Sequence, residues 1–294
     1  MSDIFVAHLE LAFILAQQNH SKLNVELCHA DGLSGIKTRH FYNNLCGING
    51  VRNLHVSSWN PGLVCSSLCA QQSLTLTCIS NFTNCDIRFK MAFQNQFNKY
   101  KNNANAVLLD TDYLKLDTTN LGKFNIYSYD GDHSPDSHVA ALTHFYPVLD
   151  DIFIYVVEHW NWDFVRNGTF KSINDLKLNV IWGRDIRLTT DNTHTPINMA
   201  KETWWNGIGA FVLQKTSTPS ASVIPVIEIA PSSELDSLLD SIANEVTTET
   251  VVENIDNTLL DESVEIPVAP APTPTLKLTP TPAPKNKKKK KATK

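Results

Sequence analysis

The chain has 294 residues and a formal net charge of −5, enough length for one large domain or two small ones. Charge is segregated: eleven acidic residues and no Lys or Arg lie from Glu228 to Glu265, and eight lysines and no acid lie from Lys277 to Lys294. The first 215 residues are left near −2, which excludes a basic nucleic-acid platform there. There is no bilayer-length apolar run and no signal-like N-terminus, so the chain reads as cytoplasmic, or nuclear in a eukaryotic host.

In chain order, residues 3–18 carry apolar positions at helical spacing with no breaker, and 33–46 predict a second helix capped by Ser34. Strand-like runs follow at 53–57, 74–79, 106–110, 124–129 and 151–157, alternating with helix-like stretches at 63–71, 86–100, 136–147 and 163–174. That alternation predicts an α/β layered sheet of parallel strands. The runs 177–182 and 207–214 are expected to close it with an antiparallel pair. The last aromatic is Phe211, the last glycine Gly209, and ten of fourteen prolines lie beyond residue 215. Such a segment cannot bury enough apolar surface to offset its ordering entropy. The division is therefore a folded domain over 1–215 and a disordered Pro/Thr-rich acidic tail over 216–294, ending in a Lys run.

Six cysteines, with no CxxC pair or metal-finger spacing, read as reduced and mostly buried thiols. Within the tail, Leu235, Leu238, Leu239 and Ile242 give 232–243 an amphipathic helical pattern suited to a protein partner, or to the chain's own domain. The run Lys285–Lys294 fits a nuclear address, a nucleic-acid arm or an anionic surface anchor, with a solubilising tail as the plain alternative.

Ligands bind at the carboxyl ends of parallel strands. Those positions here are His55 to Gly62, Ser80-Asn81, Asp110 and Asp112, Asp130-Gly131-Asp132-His133, and Glu158-His159-Trp160-Asn161-Trp162. Asp132 or Ser134 reads as a cap for the helix after strand four, with Pro135 at its start. Asp130 reads as a site residue, because a carboxylate at the mouth of a buried strand needs a partner or a task.

The stretch "YDGDHSPDSHVAALTHFYPVLDDIFIYVVEHWNWDFVRNGT", with "GLSGIKTRHFYNNLC" upstream and "WWNGIGAFVLQKT" downstream, resembles class I S-adenosylmethionine-dependent methyltransferases. The similar group has a DGDHS motif after strand four and an acidic pair before a Trp after strand five. The resemblance covers roughly 1–215. It implies a Rossmann-like sheet of order 3-2-1-4-5 with N-terminal helices, and methyl transfer to a small-molecule or sugar hydroxyl. It further implies S-adenosylmethionine held by the equivalents of His55, Ser57, Trp59, Ser80, Asp112 and Asp130. Catalysis would fall to Asp130, His133 and His159, with a divalent metal on Asp130, Glu158 and His159 and with His55 and His133 nearby; histidine ligands suit zinc, iron or nickel better than magnesium. The plain reading of that trio is polar groups hydrogen-bonded at a strand edge.

The departures are specific. His55 stands for the acid of the loop after strand one, Ser57 for its first glycine, and Pro61 near its second. Ser80 stands for the ribose-binding acid after strand two, and Glu158-His159 for the acidic pair after strand five. Losing two charged hydrogen-bonding partners weakens a cofactor by about 3–6 kcal/mol, or roughly 10²- to 10⁴-fold. The alternative is therefore a catalytically degenerate methyltransferase-fold protein acting as a binding or structural module. Trp160, Trp162, Trp204 and Trp205 could stack on a ligand, but at least two read as core. Arg39, Asn43 and Asn44 could line a substrate entrance or simply serve the second helix.

Overall fold

A computed structural model of the chain describes residues 2–30, 32–58, 60–102 and 104–216. Trp59, the segment 232–243 and the run Lys285–Lys294 therefore lie outside the described residues. Seven strands form one sheet: β1 (Arg52–Val56), β2 (Thr75–Ser80), β3 (Asn105–Asp110), β4 (Phe124–Tyr129), β5 (Leu149–Glu158), β6 (Asn179–Ile186) and β7 (Ile208–Gln214). Their order is β3-β2-β1-β4-β5-β7-β6. The first five are parallel, and β7 runs antiparallel between β5 and β6. This is the Rossmann-like α/β architecture expected from the sequence, with the antiparallel pair at one edge.

The helices are α1 (Ser2–Gln17), α2 (Val25–Cys28), α3 (Ile36–Leu45), α4 (Gly62–Leu68), α5 (Ile87–Lys101), α6 (Pro135–Phe145), α7 (Asp163–Asp175) and α8 (Ile197–Lys201). α2 and α8, of four and five residues, are too short to show in hydrophobic periodicity. Helices α1, α3, α4 and α5 cover one face of the sheet, where Phe13, Phe41, Val64 and Phe93 pack on Cys78, Ile126 and Val156. Helices α6 and α7 cover the other, where Leu142, Phe145 and Ile173 pack on Leu54, Tyr127 and Tyr155. Both faces being buried explains why the central strands read as near-continuous apolar runs.

Ser34 does not cap α3. Gly35 stands at the cap position, and Ser34 Oγ instead accepts from Arg39 Nε at 2.8 Å. A side chain at Gly35 would place its Cβ 2.0 Å from the Thr203 carbonyl oxygen, so the close seat of α3 against the α8 region selects glycine. Ser134 does cap α6, its Oγ accepting from Ser137 N at 3.2 Å with Pro135 in the first turn. No helix among the described residues is long and apolar enough to cross a membrane. All six cysteines are free; four are buried and Cys28 and Cys85 are half-buried.

Candidate functional site

Side chains alternate along a strand, and paired parallel strands keep their registers. His55 pairs with Cys78 and Ser128, and Ser128 with Val156. These residues therefore share the face covered by α3. One step beyond Tyr129 and Val157, which are paired, Asp130 and Glu158 emerge at the carboxyl end on that same face.

Asp130 is buried. Its Oδ2 accepts from Ser58 Oγ at 2.9 Å, and its Oδ1 lies 3.5 Å from His159 Nε2. Burial pushes its pKa up, but the bond from His159 and the nearby rings of His159, His133 and His55 outweigh that and hold it below the usual value. Glu158 behaves oppositely. Burial first and the Asp130 charge second push its pKa well above the ordinary carboxylate value. Its Oε1 is buried without a hydrogen-bond partner. Asp130 is thus the charged member of this pair and Glu158 the neutral one.

His159 adopts φ 62°, a left-handed conformation uncommon outside glycine. Its ring is stacked on Trp162 at 4.9 Å and 15°, and lies 4.1 Å from His133. Asn206, 47 residues on, decides its tautomer. Asn206 Oδ1 accepts from Thr195 N at 2.9 Å, so Nδ2 is the end facing His159 Nδ1 at 3.2 Å and His194 Nδ1 at 3.0 Å. An amide nitrogen only donates. Both Nδ1 atoms therefore accept, and the His159 proton sits on Nε2, toward Asp130. The downstream loop is fastened by Asn161, whose Oδ1 accepts from Leu188 N at 2.8 Å and whose Nδ2 donates to Thr195 Oγ1 at 3.0 Å.

At the other end of the crevice, Ser57 Oγ and Ser80 Oγ both donate to the Ser58 carbonyl, at 3.0 and 3.2 Å. His55 is fully buried with both ring nitrogens unpartnered, and burial lowers its pKa to about 4. It stands as a neutral imidazole in β1, near its carboxyl end.

The structure brings together Asp130, His133, Glu158 and His159, with His55 close enough to act on Asp130. It does not bring Asp112 to them. Asp112 caps a short turn, accepting from Leu114 N at 3.1 Å, beside Lys115. Asp110 accepts from Phe82 N and from Lys90 Nζ. Asp132 accepts from Ser134 N and Ser137 Oγ, and hydrogen bonding from the Ser134 side chain first, the Ser137 side chain next and the Ser134 backbone after that keeps its carboxyl at about 2. Asn43 holds the carbonyls of Ser66 and Cys69, and Asn44 that of His20. Trp160, Trp162, Trp204 and Trp205 are all buried.

The metal trio expected from the resemblance is not shown as a metal site. Among the described residues no group of three or more His, Cys, Asp or Glu side chains is arranged to hold a metal ion. In the metal-free chain burial raises the Glu158 pKa, and His159 turns an N–H toward Asp130. Asn206, Thr195 and His194 were not recognisable beforehand, because their part in the site is set by a loop contact rather than by a strand end.

No protein-family model and no curated protein sequence matches the chain. Similar solved structures include an O-methyltransferase from Bacillus cereus in complex with SAH, 12% identical with TM-score 0.42, covering 70% of this chain and 90% of that one. TrmN from Thermus thermophilus is 8% identical with TM-score 0.44, covering 65% and 52%. A Streptococcus mutans protein assigned to the SAM-dependent methyltransferases is 12% identical with TM-score 0.42, covering 60% and 48%. This chain thus spans about half the length of that last protein. The fold assignment rests on the strand order and crossovers of the chain itself.

Proposed function

We propose that this is a class I S-adenosylmethionine-dependent methyltransferase-like protein whose cofactor half has been rebuilt, so that it holds S-adenosylmethionine weakly and serves as a binding module. The observation that carries this reading is the pair of hydroxyls at Ser57 and Ser80, both turned onto the Ser58 carbonyl. One replaces the glycine that lets backbone approach the cofactor's amino-acid part, the other the acid that holds its ribose. With neutral His55 beside them, the set does not fit S-adenosylmethionine in the family manner.

A second reading, an active methyltransferase acting on a small-molecule or sugar hydroxyl, is favoured by the retained Asp130–His159 contact at 3.5 Å. Calorimetric titration with S-adenosylhomocysteine separates the two. The expected dissociation constant is weaker than about 100 µM, from the loss of charged hydrogen-bonding partners. The combined change His55→Glu, Ser57→Gly and Ser80→Asp is expected to tighten it by about tenfold or more. Low-micromolar binding by the unaltered chain would establish the second reading instead.

A further inference from the structure

Cys28 is the last residue of α2, and its Sγ lies 3.8 Å from Nε2 of His40 on α3. The far ring nitrogen, His40 Nδ1, is 2.7 Å from Ser21 Oγ in the loop between α1 and α2. That loop is fastened to α3 by Lys22 N, which donates to Asn43 Oδ1 at 2.9 Å. The backbone of Cys28 is held as well: Arg39 Nη1 donates to the carbonyls of Leu27 at 2.7 Å and of Cys28 at 3.4 Å. His40 is buried, whereas Cys28 is half-buried. The thiol also lines a cavity of about 80 Å³ between α2, the start of α3 and α8, with Ser34, Arg39 and Lys201 among its other walls. A thiol, an imidazole within reach of it and a third group behind the ring make up the arrangement of an activated nucleophile. Among the described residues, a thiol meets an imidazole in this way at Cys28 alone.

We propose that Cys28 is a site of thiol–disulfide exchange with small disulfides, with His40 as its general base and Ser21 as the group that positions the ring. In the step, Cys28 Sγ gives its proton to His40 Nε2 and attacks one sulfur of R–S–S–R. The bond from Cys28 Sγ to S–R forms as the S–S bond of the disulfide breaks. The Cys28 sulfur is oxidised, the departing sulfur is reduced, and the departing thiolate takes the proton from His40 and leaves as R–SH. While the ring is charged, Ser21 Oγ accepts from Nδ1–H; a hydroxyl oxygen has two lone pairs, and Leu23 N uses one of them at 3.2 Å. At rest both partners are neutral, because burial is the largest effect on each, raising the Cys28 pKa and lowering that of His40. Among the described residues, the other titratable and charged groups acting on the pair are Arg39 and Cys69 on the thiol and His20 on the ring. The base therefore matters at the moment of attack. The site goes beyond the function proposed above, since it shares no residue with Asp130, His133, Glu158 or His159.

The experiment treats the reduced full chain with neutral dithiodipyridine, follows the released pyridinethione by absorbance and locates the modified residue by peptide mass spectrometry. Cys28 is expected to react first, about tenfold faster than Cys85, the other half-buried thiol. With the base in place, its rate should be nearly flat between about pH 6.5 and 8.5, because both groups stay neutral there. His40→Gln removes the base. The rate at pH 7 is then expected to fall about tenfold or more, and to climb about tenfold per pH unit as free thiolate becomes the nucleophile. Ser21→Ala leaves the ring in place and is expected to slow the step about threefold. Melting temperatures of both variants are measured first; if His40→Gln does not fold, the profile of the unaltered chain and Ser21→Ala decide. A rate in the unaltered chain that climbs tenfold per pH unit, first reaction at another thiol, or a rate that neither folded variant lowers overturns the proposal.

Discussion

At the β1–β2 end of the crevice, polar side chains face inward and answer one another: two serine hydroxyls share one carbonyl, and His55 is sealed in with both nitrogens unpartnered. At the β4–β5 end, Asp130 keeps its charge, and His159 is oriented toward it by Asn206 and by the Trp162 ring. The same sheet thus carries two kinds of ending. At one, neutral hydroxyls satisfy the local backbone. The other shows a buried carboxylate persisting because several partners stabilise it.

Acid should have the largest effect on this contrast. Burial sets the pKa of His55 and of His138 at about 4, against 6.5 for an unperturbed histidine. The unfolded chain therefore takes up these protons first as pH falls. Each histidine's contribution is whole above 6.5, is lost progressively between 6.5 and 4, and amounts to about 3 kcal/mol. Urea unfolding at a series of pH values is expected to show that loss. His138→Leu should flatten the slope without touching the crevice, and His55→Leu should flatten it from within. A slope unchanged in both variants would show that neither ring is held neutral by the fold.

A pair of isosteric changes tests the division between the carboxyls. Asp130→Asn replaces an acceptor oxygen by an amide that cannot accept from both Ser58 and His159, and should cost about 1–3 kcal/mol. Glu158→Gln exchanges one neutral group for another of the same shape and should stay within about 0.5 kcal/mol. Chemical denaturation of the two variants reads the difference directly; equal costs would mean that the pair shares its charge rather than dividing it.

The smallest effect is expected from the C-terminal segment. A chain ending at Thr216 should melt within about 1 °C of the full chain, because residues beyond it lack the aromatic and glycine content of a core. A drop of several degrees in calorimetry would show that 232–243 packs on the domain.

The sequence by itself determined the layered α/β fold, the five parallel strands and the antiparallel closing pair. Those features depend on local periodicity and on breakers, which each segment carries independently of its neighbours. It also placed Asp130, His133, Glu158 and His159 at strand ends, because position along a strand fixes which end a residue occupies. Only the tertiary structure decided what these residues do there. That Ser57 and Ser80 meet at one carbonyl depends on the parallel pairing of β1 with β2, which brings the two strand ends side by side. That His159 presents an N–H to Asp130 depends on Asn206, brought in from a loop 47 residues away. That Arg39 lines a cavity while Asn43, one helical turn on, ties down backbone depends on where α8 closes against α3. Hydrogen-bond partnership is a property of three-dimensional approach, and no spacing along the chain encodes it for groups that far apart.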